Sequence, residues 1–129
     1  MPELAYSAGV ASPSAKPVVW MGNSLERLRE FPEPVREELG YAVYKAQIGE
    51  KHPNAKLMKG FGSGVLEVVS AHRGDTFRAV YTVRLAEKIY VLHAFQKKSK
   101  KGIATPKPEM DLLRQRLKRA MELHAQEED

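Results

Sequence analysis

The 129-residue chain contains no cysteine. That excludes disulfides, thiolate metal sites and a cysteine nucleophile, and it fits a reducing compartment. Long apolar runs are missing too: none approaches the ~20 residues that a membrane-spanning helix needs. The N-terminal stretch MPELAYSAGVASPSAKP has neither the basic start nor the long apolar block of a secretory signal. A cytoplasmic protein with no membrane contact is the expectation. His52, His72 and His124 are too scattered for a metal-ligand motif, and no HExxH helix or Asp/Asn calcium loop occurs. Neither a metal nor a small-molecule cofactor is expected. Gly60, Gly62 and Gly64 in GFGSG superficially suggest a phosphate loop. No lysine–serine pair or Rossmann strand-to-helix context accompanies them, so they read as a flexible connector.

What the chain does have is ordinary globular composition with one local anomaly. Hydrophobic content of 43% and charged content of 29% suit a single domain with a real core. Lys and Arg number 21 against 16 Asp and Glu, giving a net charge of +5 and a pI near 9.5. Lys97, Lys98, Lys100, Lys101 and Lys107 fall within eleven residues that hold no acid. Without these five the balance is 16 to 16, so numerically the net charge resides in this stretch. Such a concentration suits an anionic partner, either nucleic acid or an acidic protein. The plainer alternative is a solubilising loop or a guard on a strand edge.

Along the chain, residues 1–16 read as a disordered lead, 17–124 as one domain and 125–129 as an acidic tail. KPVVWMG suggests a first strand. In NSLERLREF, Asn23 and Glu26 have the spacing of a capping box, with Leu25, Leu28 and Phe31 on one helical face. PEPVREELGYAVYKAQIG repeats Val35, Leu39, Ala42, Val43 and Ala46 at helical spacing, with Pro34 in the first turn. A short extended piece near 56–60 is followed by three strand-like runs, VLEVVSAH, TFRAVYTVR and KIYVLHAFQ. PEMDLLRQRLKRAMELH then sets Met110, Leu113, Leu117 and Ala120 on one helical face. The order β-α-α-β-β-β-α predicts a two-layer α+β domain, with an antiparallel-rich sheet and its helices on one face.

Strand alternation sorts the middle run into Phe77, Ala79, Tyr81 and Val83 on the core face and Arg78, Val80, Thr82 and Arg84 on the other. A turn tip at Arg73-Gly74 pairs Ala71 with Thr76 and Val69 with Arg78. Arg78 then lies on the sheet face left open by the helices, near the strand end that delivers the lysines. A cation on a rigid strand beside a basic loop suits a polyanion. The plain structural reading is an arginine paired with Glu67 or another acid. His93, inside an apolar run, reads as a hydrogen-bonded core histidine.

The segment EVVSAHRGDTFRAVYTV…IYVLHAFQKKSKKGIATPKPEMDLLRQRL, preceded by a helical hairpin, resembles the RelE/ParE toxin superfamily. It is most similar to the HigB-like, phage-derived host-killing toxins of type II toxin–antitoxin modules. The resemblance spans roughly residues 17–124. It implies a RelE-like fold and a metal-independent mRNA interferase acting on the ribosome, held inactive by a cognate antitoxin, expected to be a helix-turn-helix protein. It also implies that Arg78 stabilises charge on the scissile phosphate. Lys97 and Lys98 would share the catalytic work, while Lys100, Lys101, Lys107, Arg73 and His72 would contact RNA. Many relatives carry a basic residue where this chain has Val69, so either His72, Arg73 or a lysine covers that role or the protein cleaves poorly. A gyrase poison of the ParE kind and a non-catalytic RNA-binding protein on the same fold are the alternatives.

Overall fold

The computed structural model describes residues 15–85, 87–97 and 105–128. Strand β1 (Val18–Trp20) leads into helices α1 (Ser24–Arg29) and α2 (Glu33–Gln47). Strands β2 (Ala55–Leu57), β3 (Val65–His72), β4 (Asp75–Thr82) and β5 (Ile89–Lys97) follow, and helix α3 (Lys107–Glu128) closes the chain. The strands form one sheet in the order β1-β5-β4-β3-β2. β1 runs parallel to β5 and every other pairing is antiparallel. The α+β class is as expected. The short extended piece proves to be β2, an edge strand paired with β3.

The β3–β4 hairpin has the predicted register, with Val69 opposite Arg78 and Ala71 opposite Thr76. Arg73 (φ 52°) and Gly74 (φ 87°) both take the left-handed conformation, which is what a two-residue hairpin loop twisting with its strands requires. Alternation then divides the side chains. Phe77, Ala79 and Tyr81 join Val35, Leu39, Val43 and other residues of the helical hairpin in one core. Burying these side chains is the main stabilisation of that layer, at roughly 1.5–3 kcal/mol for each large one.

The opposite face is not open. Val65, Val80, Tyr90, Leu92 and Phe95 form a second core with Leu113, Leu117 and Ala120 of α3. The sheet is therefore sandwiched, with α1 and α2 on one side and α3 on the other, which corrects the expectation of helices on one face. Periodicity identifies α3 as amphipathic but carries no information about which sheet face receives it. α3 runs antiparallel to β5: Glu109 meets His93 near its start, and Glu127 pairs with Lys88 near its end. The helix thus continues through the residues expected to form a tail.

A β-bulge locks this docking. The β4–β5 register shifts between Val80, opposite His93, and Tyr81, opposite Val91, so Leu92 is left over. Its carbonyl accepts a hydrogen bond from Arg116 Nη1 at 2.9 Å, and Arg116 Nη2 donates to Asn23 Oδ1 at 2.7 Å. Asn23 therefore serves α3 and makes no side-chain cap on α1. Gly22 (φ 52°) leaves room for this arginine: a Cβ there would lie 2.5 Å from its guanidinium.

Candidate functional site

Three charged side chains come from successive strands on the α3 face. Glu67 lies opposite Val80, Arg78 opposite Phe95, and Lys97 opposite Thr76, so they make a diagonal line across β3, β4 and β5. Arg78 Nη1 donates to Glu67 Oε2 at 2.6 Å, with side-chain exposures of 13% and 9%. The acid partner expected from the plain reading of Arg78 is thus present. The pair is far from the ordinary exposed ion pair.

Lys97 is more unusual. It is only 4% exposed, and its Nζ has no hydrogen-bond partner among the described residues. Arg78 Nε is likewise buried and unpartnered. Buried donors are normally satisfied, because each unmade bond costs about 1–3 kcal/mol. Two adjacent cationic donors in that state are groups whose unmet hydrogen-bonding capacity an anion would satisfy. Burial pushes the Lys97 ammonium below its usual pKa of 10.5. The neighbouring Arg78 adds to that effect and Glu67 opposes it.

Beside this line lies a second polar cluster. His93 is 2% exposed and stacks on Phe95 at 4.8 Å between ring centroids. Its Nε2 lies 2.6 Å from Glu109 Oε1, and its Nδ1 lies 3.3 Å from Arg116 Nη1. Burial lowers its pKa, Glu109 partly restores it, and Arg116 and Arg27 lower it further. His93 is thus a core histidine engaged at both ring nitrogens.

Of the other sequence-predicted residues, those that the structure describes are not gathered here. His72 and Arg73 are at the hairpin tip, and by alternation His72 points to the face opposite Arg78. Lys107 opens α3 with its side chain 83% exposed and paired to Asp111 at 2.8 Å. Lys98, Lys100 and Lys101 lie outside the described residues. Sequence reasoning missed the structural importance of Arg116 and Glu109, which read as part of α3's polar face. The GFGSG connector is held rather than free: Arg84 donates to the carbonyls of Phe61 at 2.5 Å and Ser63 at 2.8 Å. Among the described residues there is no group of His, Asp and Glu that could hold a metal, and no helix is long and apolar enough to cross a membrane.

Residues 26–118 match the family of phage-derived Gp49-like proteins (DUF891). The chain belongs to that family, one of RelE/HigB-type toxins. It is accordingly a RelE-type toxin of a toxin–antitoxin system. Among solved structures, a mutant of the Escherichia coli toxin RelE in the free state is 18% identical. The match covers 62% of this chain and 81% of that one with a TM-score of 0.48. The RelBE2 toxin–antitoxin complex from Mycobacterium tuberculosis is 15% identical, covering 70% and 100% with a TM-score of 0.39. No curated protein matches the chain.

Proposed function

We propose that this toxin is an mRNA endoribonuclease working on the ribosome, with Arg78 and Lys97 handling the scissile phosphate. The observation that carries the reading is the adjacency of two buried cations on one sheet, each with a nitrogen that has no partner among the described residues. The ribose 2′-OH supplies the nucleophile, so no protein nucleophile is required. Charge then builds on the phosphate oxygens as the 2′-oxygen bonds to phosphorus and the 5′-oxygen departs. Arg78 stabilises that charge through donors that need no reorganisation at the moment of reaction. Lys97, with its pKa lowered, contacts the phosphate and gives its proton to the departing 5′-oxygen.

The lysines at 98, 100 and 101 extend the positive charge along the RNA backbone as point contacts. In the resting state a cognate antitoxin, expected to contain a helix-turn-helix domain, covers this basic region with Asp- and Glu-bearing chain. Opposite potentials speed such an encounter.

Induced expression followed by mapping of RNA ends tests the function. The expected result is rapid mRNA cleavage, only in translated regions, leaving 2′,3′-cyclic phosphate ends. Double-strand DNA breaks with intact mRNA would instead support a gyrase poison.

A further inference from the structure

The proposed reaction needs a group to take the proton from the 2′-OH, and the position of Val69 cannot supply one. Val69 lies directly opposite Arg78 and carries no titratable group. His72 is on the other face of β3. His93 is occupied at both nitrogens by Glu109 and Arg116. Lys97 is assigned to the leaving oxygen. One titratable group remains at the site among the described residues, the carboxylate of Glu67.

We propose that Glu67 is the general base. It sits two residues before Val69 on the same face, next to the arginine that holds the phosphate. Only its Oε2 is engaged by Arg78; Oε1 makes no hydrogen bond among the described residues and is available to the ribose. Arg78 thereby does two things: it orients the carboxylate through one nitrogen and keeps Nε free for a phosphate oxygen. Glu67 is 7% exposed, and its immediate neighbours in β3 are Leu66 and Val68, both buried.

The step balances. The 2′-O–H bond breaks and its proton passes to Glu67 Oε1, while the 2′-oxygen forms a bond to phosphorus. The bond from phosphorus to the 5′-oxygen breaks, and that oxygen receives a proton from the Lys97 ammonium. The products are a 2′,3′-cyclic phosphate and a 5′-hydroxyl, and solvent exchange returns Glu67 to carboxylate and Lys97 to ammonium. No oxidant, reductant or further reactant is needed. In this arrangement a base and an acid flank one charge-stabilising arginine.

This inference rests on the endoribonuclease reading, and the test separates the two. Single-turnover cleavage on programmed ribosomes is compared for the wild type, Arg78→Ala, Glu67→Gln and Lys97→Met. Each is run on mRNA with a normal phosphate and with sulfur replacing the 5′-bridging oxygen at the cleavage site. Gln retains an oxygen to accept from Arg78 but cannot take a proton. Glu67→Gln should therefore lose about 100-fold to 10,000-fold in rate, with ribosome affinity unchanged and thermal unfolding measured alongside as the folding control. A thiolate leaves without a proton, so the sulfur substrate should rescue Lys97→Met and not Glu67→Gln. If Glu67→Gln does not fold, Glu67→Asp takes its place. It keeps a carboxylate one methylene short and should retain part of the activity that Glu67→Ala lacks. Wild-type rate in Glu67→Gln, or rescue of that variant by sulfur, overturns the base assignment and leaves the nuclease reading intact. Equal rates in Glu67→Asp and Glu67→Ala would do the same. A wild type that does not cleave overturns the nuclease reading, and the base assignment with it.

Discussion

Lys97 lies one diagonal step from Arg78, cation beside cation, on adjacent strands and shielded from solvent. Protein cores avoid this arrangement because it desolvates a charge without pairing it. The energetic cost points to a use, and that use makes the site titratable.

The first prediction concerns alkaline pH. Burial and Arg78 lower the Lys97 pKa from 10.5. In the proposed role of proton donor Lys97 must be charged, so cleavage should decline as pH rises through its folded-state pKa, below 10.5. For stability the sign is opposite. Between that pKa and 10.5 the unfolded chain binds more protons, so this residue's contribution to stability rises with pH. Lys97→Arg should move the alkaline limb of the rate out of range, and Lys97→Met should fold at least as stably as the wild type at pH 7 while cleaving poorly. Rates from pH 7 to 10, with thermal unfolding alongside, check both.

His93 gives a prediction at the acid end. Its pKa is lowered by burial, helped by Arg116 and Arg27 and opposed by Glu109. The unfolded chain, with a histidine pKa near 6.5, therefore takes up the proton first. Stability should fall as pH drops below 6.5 and level off once the folded-state pKa is passed. Each unit of lowering is worth about 1.4 kcal/mol. Unfolding temperatures from pH 7.5 to 5 should fall more for the wild type than for His93→Gln, which cannot titrate.

Arg116 connects three elements, reaching Leu92 at the bulge, His93 beside it and Asn23 before α1. Arg116→Ala should destabilise the fold by about 2–3 kcal/mol, since hydrogen bonds from charged groups are the strong ones. Arg116→Lys should recover only part, because an ammonium has no planar fork to span those acceptors. Urea titration measures both. An unchanged midpoint would remove Arg116 as the tie between α3 and the sheet.

Much of this fold was legible in the sequence because period-2 patterning fixes strand faces. Phe77, Ala79 and Tyr81 face the hairpin core, and the HRGD turn set the β3–β4 register. The packing of α3 was not legible. Its apolar stripe fits either sheet face, and only tertiary packing on Val80, Leu92 and Phe95 decides. Asn23 and Glu26 had the spacing of a cap, yet a partner 93 residues away claims Asn23. At the site, Arg78 and Lys97 were readable as cations near one strand end. Glu67 was readable as a partner for Arg78 on the neighbouring strand, but not as the proposed base. An acid within VLEVV was the available signal: a charge on a buried face needs a partner or a task.

The lysine stretch carries a separate prediction, since its charge is evident from sequence alone. Replacing Lys98, Lys100 and Lys101 by Gln should weaken ribosome or RNA binding and flatten its salt dependence. The slope should fall by about 0.7 for each single-strand phosphate that the variant no longer neutralises. Folding should be preserved, and thermal unfolding checks it. Unchanged affinity across salt would leave the stretch as a solubilising segment.

The central claim is that Arg78 acts on the scissile phosphate, and cleavage of mRNA on programmed ribosomes by Arg78→Ala tests it most directly. Loss of one preorganised donor typically costs a factor of ~100–1,000 in rate, and RNA affinity should change far less. Arg78→Lys should recover a fraction, keeping charge without the fork. Because Arg78 also pairs with buried Glu67, thermal unfolding of each variant must accompany the rates, and Arg78→Ala combined with Glu67→Gln removes the unpaired charge. A folded double variant at least as slow as Arg78→Ala is the predicted result. A folded Arg78→Ala protein that cleaves at the wild-type rate would contradict the account.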